Sequence, residues 1–423
     1  MRRHLSMAMA LAIAATILAA CGNAWSGELS RSNARPGVTA TEIRVGGIMS
    51  KTSPVGDNYG TSVDGTKAYF EMVNSEGGVF GRELVVAAEY DDFTQASKNV
   101  QAARSLVEED KVFAVLPVAT PLFASGPYLA QQGVPTFGWN INPEWSAGPS
   151  LFGNTGSYIC FTCAETFAYL PMVGKQLGIH KYALLAYSAA QSKQCLEGQK
   201  AAINKYGGEV VFEDGALGFG FTDASADVAR IKESGAQMMA TCMDGDGSAR
   251  ISRGLHQAGV DIEQYWPIGY DQSLLDKFPA EMEGIYMQSA AVPFEIPQSS
   301  PGMQKYLEWM EKTGGQVGEL SLVGWISAAL LVRGIQDAGE DFTQATVVEA
   351  INKITDWTAD KIGPGINWTI AHGPPPPGQA PLACLSYLTV KDQKFEPVFV
   401  TPEQPFLCLD PNAAALSDTP IRK

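Results

Sequence analysis

From residue 42 onward the chain alternates short, almost wholly apolar runs with longer stretches whose apolar residues recur every third or fourth position. Runs of the first kind suit strands buried on both faces, and the longer stretches suit helices with one buried stripe. Ile43, Val45 and Ile48 mark a strand over 43–48 that runs into a Gly/Ser/Pro loop. Val63, Tyr69, Phe70 and Val73 mark a helix over 62–74, stopped by Gly77-Gly78. A strand over 84–90 follows, then a helix capped by Thr94 and running to about residue 109. Strands over 112–118 and 134–138 flank a helix over 122–132 that Gly133 ends.

The same order then recurs. Strands are expected over 182–187, 210–213 and 237–243, and helices over 192–206, 223–234 and 248–258. Tyr206-Gly207-Gly208 repeats the glycine stop after the first helix, and Phe221-Thr222-Asp223 parallels Phe93-Thr94. Strands alternating with helices imply parallel sheets, and a repeated set implies two α/β lobes of similar build. Helices over 303–313, 320–337 and 346–354 come later, followed by a stiff proline loop at 373–378 and a hairpin of strands 385–391 and 395–400. These late elements must join the earlier lobes, so each lobe is discontinuous. The expected boundaries are 39–155 with 292–364 for the first lobe, and 156–291 with 365–410 for the second.

Ahead of this pattern, residues 1–20 have the parts of a secretory signal: Arg2-Arg3, an apolar Ala/Leu/Ile/Met run, and small residues at Ala19-Ala20. Leu18-Ala19-Ala20-Cys21 matches a bacterial lipobox, which makes Cys21 a lipidation site and the new N-terminus. Residues 21–38, polar and without periodicity, read as a flexible tether. No later run is long and apolar enough to span a bilayer, so the expected state is an exported chain held at a membrane by acyl chains alone.

Charge narrows the partners. The 423 residues carry a formal net charge of −15, and losing the signal with Arg2 and Arg3 takes it to −17. That balance repels phosphate backbones and argues against nucleic acid. Of the 7 cysteines, Cys160, Cys163, Cys195, Cys242, Cys384 and Cys408 remain after Cys21. An even number in an exported chain favours disulfides. Cys384 and Cys408 bracket the hairpin and are expected to pair. Cys160-Phe161-Thr162-Cys163 also resembles a redox or zinc pair, but no second pair has the spacing a zinc site needs. With His180, His256 and His372 the only histidines beyond the signal, none beside a nucleophile elbow, neither catalysis nor a cofactor nor a metal is expected.

Several stretches share a family likeness: residues 48–60, Glu76-Gly77-Gly78-Val79-Phe80-Gly81-Arg82 with Glu89-Tyr90-Asp91-Asp92, Val115-Leu116-Pro117-Val118-Ala119-Thr120, and Gly133-Val134-Pro135-Thr136. In order and spacing they resemble the leucine/isoleucine/valine-binding proteins, type I periplasmic binding proteins of ABC importers, over nearly the whole mature chain. The resemblance implies two three-layer lobes with parallel sheets joined by three hinge crossovers, and a ligand in a cleft that closes by hinge motion.

It also implies site residues. Thr120 falls at the carboxylate-binding hydroxyl, or serves as a helix cap. Tyr59 matches an aromatic that covers the ligand side chain. Trp139, Asn140 and Ile141 follow the fourth strand where the family binds through backbone and a hydroxyl, and here they are bulkier. Asp271 matches the acid that pairs with an ammonium, and is equally a cap for a helix at 273–278. Gln191 and Asp244 stand where tyrosines often touch the ligand. Asp244-Gly245-Asp246-Gly247-Ser248 looks like a calcium loop but lacks the glycine and distal glutamate, and reads as a turn and cap. The expected function is capture of a small amino acid of branched-chain type, or a related amide, for a permease and its ATPase. The alternatives are a ligand sensor for a membrane receptor or kinase and, less favoured, a cell-surface hydrolase.

Overall fold

In the computed structural model, which describes residues 35–53, 59–376, 378–413, 415–417 and 421–423, the alternating pattern folds into two sheets. The signal, Cys21 and residues 54–58 lie outside the described residues. The first sheet is wholly parallel. It holds β1 (Glu42–Met49), β2 (Glu83–Asp91), β3 (Ala114–Ala119), β4 (Thr136–Gly138) and β5 (Leu151–Gly153) in the order β2-β1-β3-β4-β5. Every residue of β3 is buried, as a strand covered on both faces requires.

Helices α1 (Ser62–Ser75), α2 (Ala96–Arg104) and α3 (Gly126–Gln132) connect these strands. The chain then passes to the second sheet through α4 (Tyr169–Leu177), β6 (Lys181–Tyr187), α5 (Ala190–Lys205), β7 (Glu209–Leu217), α6 (Ser225–Ser234), β8 (Met238–Cys242), α7 (Gly245–Gln257), β9 (Glu263–Tyr265), α8 (Gln272–Lys277), α9 (Pro279–Met282) and β10 (Tyr286–Ser289). It returns to the first sheet as α10 (Pro301–Thr313), α11 (Glu319–Ala338) and α12 (Gln344–Ile351). It ends on the second with β11 (Ala383–Lys391), β12 (Lys394–Val398), β13 (Leu407–Leu409) and β14 (Ile421–Arg422). The second sheet runs β14-β13-β11-β10-β9-β8-β6-β7, with β12 paired to β11.

Each sheet has helices on both faces. Phe70 and Val73 of α1 meet Leu331, Ile335, Val347 and Ile351 on one face of the first sheet. Ala102, Ala103, Leu106 and Leu129 cover the other. On the second sheet Leu170, Val173, Leu196 and Ile203 lie on one side, and Val228, Ile231, Ile251 and Leu255 on the other. Where α1 crosses α11 the backbones touch. A Cβ on Gly65 would stand 1.7 Å from Ser321 O, and one on Gly324 1.8 Å from Ser62 O. No described helix is long and apolar enough to cross a membrane.

The structure departs from the sequence reading in places. Thr94 takes a left-handed φ of 56°, its hydroxyl bonds Ser53 Oγ, and α2 begins at Ala96 with no side-chain cap. The helix expected from 122 starts at Gly126, because Thr120 and its neighbours form a turn instead. The segment 366–372, assigned to the second lobe, packs on the first sheet. Trp368 N–H donates to Ile354 O, the Trp368 ring lies edge-on to Phe152, and Ala371 O accepts from Ser157 and Tyr158. Trp368 is too large and apolar to leave a core it can reach.

Candidate functional site

In parallel sheets the loops at the carboxyl ends of the strands form the natural binding edge. On the first lobe that edge is a buried polar network. Ser50 follows β1, Asp92 follows β2 and Thr120 follows β3. Ser50 Oγ stands 2.6 Å from Asp92 Oδ1 and 3.0 Å from Thr120 Oγ1. Asp92 also accepts from Thr94 N (3.0 Å) and from Asn99 Nδ2 (2.9 Å), and Asn99 Oδ1 takes the Ser125 N–H at 2.8 Å. These four side chains are essentially inaccessible. Donors from three elements satisfy the Asp92 carboxylate, which is what a buried acid needs in place of water. Thr120 Oγ1 accepts from Leu122 N at 3.1 Å, so its hydroxyl shapes the turn and does not cap a helix.

Beside this network is an aromatic wall. The rings of Tyr59 and Trp139 lie 5.5 Å apart, packed with Met49, Val63 and Ala119. Trp139 N donates to Val118 O (2.8 Å) and Asn140 N to Asn154 Oδ1 (2.9 Å), which fixes the loop after β4. The Asn140 amide is turned to Gly156 O at 2.5 Å, at the start of the first crossover. Asn140 Oδ1 and Asn142 Oδ1 are buried with no hydrogen-bond partner among the described residues.

On the second lobe the carboxylates cap helices. Asp244 Oδ1 accepts from Gly247 N at 2.7 Å, capping α7, and Oδ2 accepts from the Tyr187 hydroxyl at 3.0 Å. Burial pushes the Asp244 carboxyl above its ordinary value, and burial does the same to the Tyr187 phenol. Gly247 permits this approach, since a Cβ there would meet the Tyr187 hydroxyl at 2.2 Å. Asp271 Oδ1 accepts from Ser273 N (2.7 Å), Ser273 Oγ (2.6 Å) and Leu274 N (3.2 Å), capping α8. Phe219, 60% exposed, lies 4.4 Å from the Tyr187 ring.

Two of the sequence-predicted residues meet across the lobes: Gln191 Nε2 donates to Ile141 O at 2.7 Å. Tyr59 and Trp139 also come together, whereas the hydrogen bonds described for Asp244 and Asp271 stay within the second lobe. The six cysteines form three bridges, Cys160–Cys163, Cys195–Cys242 and Cys384–Cys408. The first is therefore a disulfide and not a zinc pair. The last joins directly opposed residues of β11 and β13. Sequence reasoning missed Ser50, Asp92, Asn99 and Tyr187. The signal for the first two was there: a polar residue directly after a buried strand.

Known proteins share this fold. A family model described as periplasmic binding protein matches residues 42–378. Leu/Ile/Val-binding protein homolog 3 of Brucella melitensis is 29% identical over 246 residues, 54% of this chain and 64% of that protein, so less than two thirds of the relative is spanned. Among solved structures, the substrate-binding protein LivJ of Streptococcus pneumoniae in complex with isoleucine superposes with a TM-score of 0.70 at 17% identity, covering 84% of this chain and 98% of that one. A fatty acid ABC transporter substrate-binding protein from Thermomonospora curvata gives 0.69 at 18% identity, over 86% and 92%. A solute-binding protein of Rhodopseudomonas palustris in complex with benzoate gives 0.65 at 15%, over 84% and 95%. At these identities the structures establish the fold.

Proposed function

The chain belongs to the periplasmic binding protein family, and on that premise we propose that it captures a small amino acid of branched-chain type, or a related amide, for an ABC importer. Such proteins bind and do not catalyse. The observation that carries the reading is the meeting of two parallel-sheet edges, with Gln191 of one bonded to the backbone at Ile141 of the other. Closure between such edges removes a solute from water and strengthens every charge-assisted bond inside.

The ligand carboxylate is assigned to Thr120 and the backbone N–H groups after β3. A carboxylate is also the group common to the isoleucine, fatty acid and benzoate of the three structural neighbours. The side chain is assigned to the Tyr59–Trp139 wall, and the ammonium to Asp271, whose Oδ1 is occupied by the cap. Gln191 and Asp244 complete the second half of the site. Cys21 is the acyl anchor that keeps the protein beside its permease and ATPase on the outer side of the membrane.

The test is a thermal-shift screen of amino acids, amides and aromatic acids, followed by calorimetry, since a ligand of the native state raises its melting temperature. Micromolar capture corresponds to about 8 kcal/mol. Asp271→Asn keeps a good helix cap and loses the charge. It is expected to weaken an amino acid at least about tenfold with the melting temperature unchanged. Unchanged affinity removes Asp271 from the site.

A further inference from the structure

Gln191 lies in the first turn of α5, a helix of the second lobe, and its amide ends on a backbone oxygen of the first. Its face of the helix is fastened with unusual firmness. Gln191, Cys195 and Gln199 recur at four-residue spacing and so share one stripe. Cys195 is bonded to Cys242 at the end of β8, with the Cα atoms 6.0 Å apart. One turn further, the wholly buried Gln199 donates to Thr241 O at 3.4 Å. The helix is therefore tied to β8 one turn below Gln191, covalently, and again one turn below that. β8 leads directly into Asp244, which holds Tyr187.

The acceptor is held equally well. Ile141 sits between Asn140, whose N–H bonds Asn154, and Asn142, whose Nδ2 donates to Pro121 O at 2.8 Å. A bond between two such fixed groups forms when the lobes come together and breaks when they part.

We propose that Gln191 is a latch, a side chain that favours cleft closure by bonding lobe to lobe, and that the Cys195–Cys242 bridge is the positioning element that keeps it in register. The inference rests on the reading of the chain as a cleft-closing binding protein and changes the role of one residue in it: Gln191 governs affinity through closure. One intramolecular hydrogen bond of this kind shifts an open/closed ratio about fivefold.

Small-angle scattering of the unliganded full chain, bridges intact, tests this without any ligand. Gln191→Leu keeps the bulk and removes the donor. It is expected to raise the radius of gyration and, in titrations with isoleucine, to weaken binding about fivefold. Cys195→Ala/Cys242→Ala is expected to do the same. The triple variant should go no further than Gln191→Leu alone, because the bridge acts through the latch. An unchanged scattering curve for Gln191→Leu overturns the latch; if isoleucine affinity nevertheless collapses, Gln191 is a ligand contact instead. Additive effects in the triple variant overturn the positioning role of the bridge. If the wild-type chain binds no isoleucine, the proposed cargo is wrong while the scattering still decides the latch. If the bridge variant fails to fold, Gln191→Leu decides alone.

Discussion

The two lobes share one layout and are held together by different means. The first-lobe segments contain no cysteine; all three bridges fall on chain that builds the second. In place of bridges the first lobe has backbone contact between α1 and α11 and a polar network sealed around Asp92. The second lobe buries smaller polar pairs, Thr241 with Ser248 and Ser252 with Gln264, and keeps its site carboxylates Asp244 and Asp271 at helix starts. A buried network fixes geometry because every group in it is costly to leave unpaired. Two of the second lobe's bridges add covalent ties between packed elements: Cys195–Cys242 joins α5 to the end of β8, and Cys384–Cys408 joins β11 to β13.

This contrast can be broken experimentally. The largest effect is expected from Cys384→Ala/Cys408→Ala. Opening a loop with a sequence separation of 24 costs about 3 to 4 kcal/mol by loop entropy. Hydrogen exchange read by peptide should rise on the second lobe first. Gly324→Ala is the first-lobe counterpart. It drives a Cβ into Ser62 O, which cannot rotate away, and should cost about 3 kcal/mol by denaturant unfolding, with exchange rising over α1 and α11. If both variants loosen both lobes equally, the lobes are not held independently.

Titration should separate the lobes next, with opposite signs. Burial lowers His372, packed against Phe152 and Trp368 of the first lobe, to about 4. A histidine kept neutral by the fold binds protons more readily once unfolded. Its stabilisation is therefore present above the unfolded value near 6.5 and is lost as pH falls toward 4, about 2 kcal/mol between pH 7 and pH 5. His372→Gln should flatten that slope in calorimetric melts. Asp227 of α6 behaves in reverse. Burial, with Asp214 beside it, raises its carboxyl to about 6. The folded state then holds the proton more tightly, and second-lobe stability falls as pH rises from about 4 through 6. Asp227→Asn should remove this smaller slope. If the two lobes respond to pH with the same sign, one of the two assignments is wrong, and the variant that leaves its slope unchanged identifies it.

Much of the fold was legible because its strands are buried on both faces. Such strands read as short apolar runs, and Gly77-Gly78, Gly133 and Gly207-Gly208 punctuate the helices between them. The short strands β5, β9 and β10 were not legible, since three or four residues carry no period, and the helix α4 was missed although it is longer. The candidate site was legible by position only. Asp271 and Asp244 were readable as caps, and both are caps. What Gln191 touches was not readable, because its partner is a backbone oxygen 50 residues away.

By itself, then, the sequence determined the alternation of elements, their repetition in two lobes, and the pairing of Cys384 with Cys408, all of which follow from local periodicity and near neighbours. Tertiary structure decided the rest: that Trp368 returns to the first lobe, that Ser50, Asp92 and Thr120 share one buried network, that Cys195 finds Cys242, and that Gln191 reaches Ile141. Each of these depends on bringing distant strand ends to one edge, and that proximity is set by sheet order, which no stretch of chain encodes alone.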